Sequence, residues 1–350
     1  GLAFDRINHV HNFAIPAVIA DYRPSPLFAE IAWDRKTAHV VKKTKAPRTI
    51  YRNAKTDAKP VRKYTYMSNN FALGSTQTGL PGEQAAPIDL VSWDLTWNAP
   101  NHQGIIVCNH PYNSPDRFSS FLNGFPQSIG RSISSDKPYL QWPDRLFGAS
   151  PYEEMLQHEG CIIILYDIPE KDTHPFVNLF LPNKYSWLQE NGWLFANIDS
   201  FFISLFPLGK YEWTTIREAN NANILVREGD LIDGWLLRLK THRPGLILEA
   251  IEAKNVESFE SFVEKRSKVK PNLKNWTNKK QVSFRTTTGK TLDLTHGGRH
   301  LIDGTPVDYN YDLYEGPGIS APLNTGRMKF ENEYYSIKLD FGVDLNEPLM

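Results

Sequence analysis

The sequence predicts a mainly β protein, a large antiparallel β-sandwich preceded by the last helices of a helical domain. Short apolar segments with period-two alternation recur along most of the chain. In Val91–Trp97, for example, Trp93, Leu95 and Trp97 share one face. Turn residues separate these segments and few helical patterns intervene, which is typical of antiparallel sheets packed face to face. The chain has 350 residues, 41% of them hydrophobic, so it is long and apolar enough to form a sizeable core.

The first 35 residues differ from the rest and favour helices. Residues 13–19 form an apolar block around Pro16, and Leu27–Trp33 has the apolar spacing of a helix. Because two short helices cannot form a core by themselves, we interpret residues 1–35 as the end of a larger helical domain.

Residues 36–63 form a basic segment that contains ten Lys and Arg side chains. We interpret this segment as a basic linker, either solvated or folded as an edge hairpin. The functional alternative is a positive groove for an acidic polymer.

Residues 64–350 are predicted to form the antiparallel β-sandwich domain. Ser258 is expected to cap a helix over Phe259–Lys268, in which Glu264 and Lys268 are spaced i,i+4. A second short helix is predicted over Pro151–Gln157. The predicted strands are Val91–Trp97, Gly104–Cys108, Gly160–Tyr166, Phe176–Leu181, Trp193–Ile198, Phe201–Phe206, Tyr211–Ile216, Asn223–Arg227, Gly234–Lys240, Gly245–Ala250, Val282–Thr286, Thr291–Leu294, Gly326–Phe330 and Tyr334–Phe341.

Composition excludes several classes of protein. Thirty-nine basic residues balance thirty-nine acidic ones, and this neutral balance argues against nucleic acid as a partner. No apolar stretch approaches the length of a membrane span, so no membrane partner is expected. Cys108 and Cys161 are too few for a disulfide-rich scaffold; they either form one bridge or remain free thiols.

The start of the chain and one sequon are compatible with secretion. The first residue is Gly1, so either a leader has been removed or the chain begins inside a longer precursor. Asn275-Trp276-Thr277 is a glycosylation sequon. We therefore expect a secreted or periplasmic location.

The richest polar cluster is the segment from Cys108 to Arg117, which begins where a buried strand is predicted to end. It contains His110, Tyr112, Asn113 and Arg117. β-Elimination of a uronic acid needs a base for the proton next to the sugar carboxylate and an acid for the leaving oxygen, roles that His and Tyr can take. It also needs Asn or Arg to neutralise the carboxylate. The alternative is a rigid surface turn.

Other polar residues give weaker signals. His296 and His300 are close enough in sequence to join Asp303 and Asp308 around a metal ion, but we predict no metal site. Glycoside hydrolysis needs a pair of carboxylates, and the spacing in the sequence does not single out two of the five candidates. These candidates are Glu153, Glu154, Asp167, Asp199 and Asp233.

Several strand-forming phrases resemble the C-terminal sandwich of two-domain polysaccharide lyases. These heparinase-like and alginate-lyase-like enzymes combine an (α/α) toroid with an antiparallel β-sandwich, and the resemblance covers roughly residues 60–345. The histidine- and glycine-rich segment common in heparinase-like sandwiches is absent, and so is most of the toroid. The matching phrases are Tyr64–Ser68 with Phe71–Ser75, Gly192–Phe195 through Tyr211–Trp213, Pro244–Glu249 with Glu257–Phe262, Tyr314–Pro317, Gly326 and Leu339–Phe341.

The resemblance implies where the site residues lie. It implies that residues 1–35 are the last helices of a toroid-like domain, with their polar side chains at its end, and that the segment after Cys108 reaches the same cleft from the sandwich. Together with residue chemistry, this placement assigns catalysis to His110, Tyr112, Asn113 and His11, and substrate binding to Arg6, Asn8 and His9. Residue chemistry alone adds Arg117 to hold the carboxylate, and Trp142 and Arg145 to stack on and pair with the sugar.

The sequence therefore predicts a polysaccharide lyase that cleaves a uronate-containing glycan by β-elimination. No cofactor is expected, and a structural calcium or zinc ion is compatible with the proposal. The predicted partner is an acidic polysaccharide or oligosaccharide, together with an upstream helical domain or a second chain of the same precursor. The alternatives are a glycoside hydrolase on a similar scaffold and a non-catalytic carbohydrate-binding sandwich.

Overall fold

The computed structural model is mainly β, and its strands pair antiparallel throughout the described residues, as the sequence predicts. The described residues are 25–33, 39–46, 61–77, 80, 92–99, 104–110, 150, 152–172, 175–215, 234–323 and 325–341. The predicted apolar helix around Pro16 and the predicted strand Asn223–Arg227 lie outside these residues. No helix in these ranges is long and apolar enough to cross a membrane.

The structure contains three helices and twenty-two strands in the described residues. The helices are α1 (Pro26–Trp33), α2 (Phe259–Ser267) and α3 (Trp276–Lys279), with a 3-10 turn at Ala253–Asn255. The strands are β1 (His39–Ala46), β2 (Val61–Ser68), β3 (Phe71–Gln77), β4 (Trp93–Trp97), β5 (Ile105–Asn109), β6 (Glu153–His158), β7 (Cys161–Tyr166), β8 (Phe176–Pro182), β9 (Leu188–Glu190), β10 (Trp193–Asn197), β11 (Phe201–Leu208), β12 (Tyr211–Thr215), β13 (Gly234–Lys240), β14 (Gly245–Glu252), β15 (Gln281–Arg285), β16 (Thr291–Thr295), β17 (His300–Ile302), β18 (Thr305–Pro306), β19 (Tyr314–Gly316), β20 (Ile319–Ala321), β21 (Arg327–Glu331) and β22 (Ser336–Asp340).

The strands form three sheets. The largest has twelve strands in the order β12-β13-β8-β5-β4-β3-β2-β1-β19-β20-β21-β22. A six-stranded sheet follows the order β6-β7-β14-β11-β10-β9, and a four-stranded sheet the order β15-β16-β17-β18. Every predicted strand that falls on described residues is present to within two residues at each end.

The six-stranded sheet is buried on both faces, except at its exposed edge strand β9. In β7, Ile162 and Ile164 pack against the twelve-stranded sheet, whereas Ile163 and Leu165 pack into a second cluster with α2 and the four-stranded sheet. Successive side chains of a strand point to opposite faces, so a strand buried on both faces reads as one continuous apolar run. This is why residues 161–166 lack the alternation of a half-exposed strand.

The helix predicted over Pro151–Gln157 is wrong, because residues 153–158 form β6. This strand pairs with β7 over six residue pairs, from Glu153 with Tyr166 to His158 with Cys161. Its residues are mostly good helix formers, and helix propensity is a weak preference that tertiary pairing overrides. As a strand, β6 directs Glu153 and Glu154 to opposite faces of the six-stranded sheet.

The N-terminal part of the chain contacts the large sheet. In α1, the ring of Phe28 packs edge-on against Phe330 of β21, with 4.8 Å between centroids. The predicted basic linker, residues 36–63, contains β1 and the start of β2. Because β1 pairs with both β2 and β19, this part of the segment is an interior strand of the twelve-stranded sheet.

The predicted cap and surface ion pair of α2 are confirmed. The side chain of Ser258 accepts a hydrogen bond from the backbone N–H of Ser261 at 3.1 Å. The exposed Lys268 ammonium lies 2.6 Å from Glu264.

The inner side of α2 carries a buried ion pair. Nη2 of Arg266 lies 2.7 Å from Oε2 of Glu249 on β14, and each side chain is only 4% exposed. The backbone N–H and the hydroxyl of Thr287 also donate to this carboxylate, and the guanidinium lies 4.1 Å from the centroid of the Phe284 ring. The pair therefore joins α2, the six-stranded sheet and the four-stranded sheet.

We predict that Arg266→Met lowers the free energy of unfolding by about 3–5 kcal/mol, because it leaves a buried carboxylate without its cation. The matched control is Lys268→Met on the same helix, which removes an exposed pair and should cost at most about 0.5 kcal/mol. Urea denaturation of the two variants measures the difference. Equal losses in the two variants would contradict the structural role of the buried pair.

Glu153 lies in the core between the two larger sheets. The hydroxyl of Tyr166 donates a hydrogen bond to its carboxyl group, and the same hydroxyl lies 3.6 Å from Sγ of Cys108. Burial raises the pKa of Glu153 to about 7, although hydrogen bonds from Ser92 and Tyr166 oppose this shift. The carboxyl group is therefore held partly or fully protonated below neutral pH.

We predict that Glu153 makes the folded protein less stable as the pH rises from about 4.5 to about 7. In this window the folded state binds more protons than the unfolded state, so the free energy of unfolding falls as the pH increases. Glu153→Gln removes this loss, so between pH 5 and pH 8 the variant should gain stability relative to the parent, by at most about 3.5 kcal/mol at roughly 1.4 kcal/mol per pKa unit.

Denaturation midpoints at the two pH values measure this effect. Glu257→Gln is the control, because that carboxylate is 80% exposed and its replacement should leave the pH dependence of stability as in the parent. An unchanged pH dependence in Glu153→Gln would contradict the prediction.

Candidate functional site

The sequence-predicted site falls mostly outside the described residues. This applies to Arg6, Asn8, His9, His11, Tyr112, Asn113, Arg117, Trp142 and Arg145. His110 is described and lies directly after β5.

His110 is buried among residues that the sequence did not single out. Its Nδ1 lies 2.9 Å from Oγ of Ser150, and its Nε2 lies 3.9 Å from a carboxylate oxygen of Asp172. Its ring packs against that of Tyr152. Both ring nitrogens thus face neighbouring side chains of the protein. Nearby Cys108 is buried, as is Cys161, and the two cysteines do not form a disulfide bridge.

A different cavity brings together His, Tyr and Arg side chains. Its volume is about 400 Å³, which is within the range of small-molecule pockets. None of the described residues that line it is acidic. The lining includes Arg62, Arg299, His300, Val307, Tyr309 and Asn310.

The polar groups of this cavity are held by contacts between strands. Nδ1 of His300 lies 2.7 Å from the hydroxyl of Tyr309, and the two rings meet edge to face with 5.6 Å between centroids. Nε of Arg62 donates to the backbone carbonyl of Tyr309 at 2.8 Å. The cavity therefore lies where β2 of the twelve-stranded sheet meets β17 and the segment after β18.

Glu154, on β6 of the six-stranded sheet, does not line the cavity but contacts His300. Its carboxylate oxygen lies 3.3 Å from Nε2 of His300, and both oxygens accept from the backbone N–H of Gly297, at 2.9 and 2.8 Å. Gly297 lies in the turn between β16 and β17 and has a φ of 72°, a left-handed conformation that glycine adopts readily. The turn thereby presents its N–H to the carboxylate.

Tyr309 is held in its protonated form. Burial raises the pKa of its hydroxyl well above the ordinary value, and the nearby Tyr311 and Glu154 act in the same direction, whereas Arg62 opposes them. The phenol therefore acts as a hydrogen-bond donor and does not ionise by itself near neutral pH.

The two histidines considered for a metal site converge on Glu154 instead of on Asp303 and Asp308. Nδ1 of His296 lies 4.0 Å from Glu154, while Asp303 pairs with Lys290 at 2.8 Å. Within the described part of the chain, no group of three or more His, Cys, Asp or Glu side chains has a metal-binding arrangement.

The candidate carboxylates for glycoside hydrolysis are dispersed. Glu153 and Glu154 point to opposite faces of one sheet, so they cannot flank one sugar. Asp167 pairs with Lys280 and with Arg243, and Asp199 lies in an exposed turn. Asp233 is outside the described residues.

Sequence reasoning named Arg62 only as part of a basic segment and did not single out Tyr309 at all. The clustering of Arg299, His300 and Tyr309 over eleven residues was a usable local signal. The contact of Arg62 with Tyr309 spans 247 positions in the chain, and no local pattern indicates it.

The comparisons with known proteins add no relative. No protein-family model, curated protein or solved structure matches this chain. The similarity to two-domain polysaccharide lyases therefore stays a prediction from the sequence.

Proposed function

We propose that this protein is a polysaccharide lyase that cleaves a uronate-containing glycan by β-elimination in the cavity of Arg62, His300 and Tyr309. The observation that carries the proposal is the hydrogen bond between His300 and Tyr309 in a cavity that two guanidinium groups also line. The mainly β, sandwich-like architecture is compatible with the lyase resemblance, which further places the last helices of a toroid-like domain before the sandwich. Such an enzyme acts on polymers outside the cytoplasm.

Arg62 and Arg299 support the binding of the substrate carboxylate. A guanidinium group pairs with a carboxylate through two parallel hydrogen bonds. Neutralising the carboxylate makes the neighbouring C5 proton more acidic and stabilises the charge that develops on the carboxylate oxygens. The buried Arg62 is fixed by its bond to the Tyr309 carbonyl, so its charge is held close to the phenol.

His300 and Tyr309 support the proton transfers. The Tyr309 oxygen takes the C5 proton while its own proton passes to Nδ1 of His300, so the phenol never ionises and its raised pKa is not an obstacle. The C5 electron pair forms a double bond with C4, and the bond between C4 and the glycosidic oxygen breaks. The proton returns through Tyr309 to the leaving oxygen. The balance needs neither water nor a redox partner.

The sequence-predicted cluster after Cys108 is an alternative location for the same reaction. In that version His110 or Tyr112 acts as base or acid, and Asn113 or Arg117 holds the carboxylate. We favour the cavity of His300, because its lining combines an imidazole, a phenol and two arginines, whereas His110 is buried against Ser150 and Tyr152.

We predict that Tyr309→Phe lowers kcat on uronate polymers by at least about 100-fold, because it removes the hydroxyl that carries the proton. The affinity for the polymer should remain within about twofold, since the guanidinium groups are unchanged. Ultraviolet absorbance of the unsaturated product measures the rate, and calorimetry with the polymer measures binding.

Tyr311→Phe is the matched control, because its ring lies 6.1 Å from that of Tyr309 and does not line the cavity. The parent rate in Tyr309→Phe together with a loss in His110→Asn would move the reaction to the cluster after Cys108. Reducing ends without unsaturation would favour a glycoside hydrolase. Binding without any product, across polymers of several uronic acids, would favour a carbohydrate-binding module and overturn the lyase proposal.

A further inference from the structure

We propose that Glu154 is a positioning residue, which fixes the tautomer of His300 and thereby sets the direction of proton transfer from Tyr309. The inference about the tautomer stands on geometry alone, and its catalytic consequence rests on the proposed lyase function. The predicted lyase site did not include Glu154, which the sequence offered only as one of several carboxylates for glycoside hydrolysis.

The hydrogen-bonding groups of Glu154 and Tyr309 determine which nitrogen of the His300 ring carries the proton. A carboxylate only accepts hydrogen bonds, so the ring nitrogen that faces Glu154, Nε2 of His300, must carry a proton. In the neutral imidazole, Nδ1 is then an acceptor. Its neighbour at 2.7 Å is the Tyr309 hydroxyl, so the phenol donates its proton toward the ring.

The Glu154 carboxylate is held in place by the turn between β16 and β17. Both of its oxygens accept from the Gly297 N–H, and its side chain is 9% exposed. This anchoring fixes the carboxylate in place before any substrate binds. A carboxylate fixed in this way orients the imidazole as well as accepting from it.

The charged partners of Glu154 differ from those of the other buried glutamate, Glu249. Among the described ion pairs, Glu154 faces two imidazoles, those of His296 and His300, and no Lys or Arg. The comparable buried Glu249 is instead paired with the permanent cation of Arg266. The charge of Glu154 is therefore available to stabilise an imidazolium that forms when His300 receives the proton of Tyr309.

The test is nitrogen NMR of the His300 ring in the full chain, at about pH 9, above the ordinary imidazole range. The nitrogen shifts identify which ring nitrogen carries the proton, and a His300→Asn sample assigns the signals. We expect the parent protein to hold the proton on Nε2. Glu154→Gln should give a mixture of the two tautomers, because one amide oxygen serves both Gly297 and His300. Tyr309→Phe should keep the proton on Nε2.

Kinetics provide the second arm. In an active enzyme we expect Glu154→Gln to lower kcat by about 10- to 100-fold while KM stays within about twofold. Glu154→Asp keeps the charge and should recover part of the rate. The control is Glu257→Gln, which makes the same replacement at an exposed position and should leave kcat unchanged.

Three results would overturn the inference. One is a parent protein with the proton on Nδ1. Another is a tautomer that changes in Tyr309→Phe but not in Glu154→Gln, since Tyr309 would then set it. The third is an unchanged kcat in Glu154→Gln of an active enzyme. An inactive parent with the expected tautomers would overturn the lyase proposal and still support the control of His300 by Glu154.

Discussion

The burial of the six-stranded sheet on both faces is the constraint on which the rest of the structure depends. Five of its strands, all except the exposed β9, supply alternate residues to two separate cores, one shared with the twelve-stranded sheet and one shared with α2 and the four-stranded sheet. A one-residue shift in the pairing of any of its strands would exchange the two sets of side chains. The register of this sheet therefore determines which polar groups reach each neighbouring layer.

Three glutamates of this sheet show three ways of accommodating a buried carboxyl group. Glu249 lies 2.7 Å from the guanidinium of Arg266 and accepts hydrogen bonds from the backbone N–H and hydroxyl of Thr287. Glu153, in the core shared with the large sheet, keeps its proton toward neutral pH because burial raises its pKa to about 7. Glu154 is bound by the Gly297 N–H and faces two imidazoles. Of the three, only this last arrangement places a carboxyl group next to imidazole rings.

The edge strand β6 is what connects these arrangements to a site. Consecutive residues of β6 alternate between the two faces of the sheet. Glu153 therefore contacts Tyr166 in the core shared with the twelve-stranded sheet, whereas Glu154 contacts the turn between β16 and β17 on the other side. The candidate cavity then combines this turn with Arg62 of the twelve-stranded sheet. The cavity therefore forms only where the twelve-stranded and four-stranded sheets meet, and the six-stranded sheet contributes the contact of Glu154 with His300.

The sequence by itself determined the mainly β class, most strand positions and the α2 helix with its Ser258 cap, because period-two patterns, turn residues and capping side chains act over a few neighbouring positions. Tertiary structure alone decided that residues 153–158 form a strand, since their local helix preference is outweighed by pairing with β7. It also decided that β1 lies inside the large sheet. The candidate site could not be predicted for the same reason. Arg62, Glu154 and His300 are far apart in the chain, and their contacts arise from strand register and sheet stacking, which local patterns do not encode.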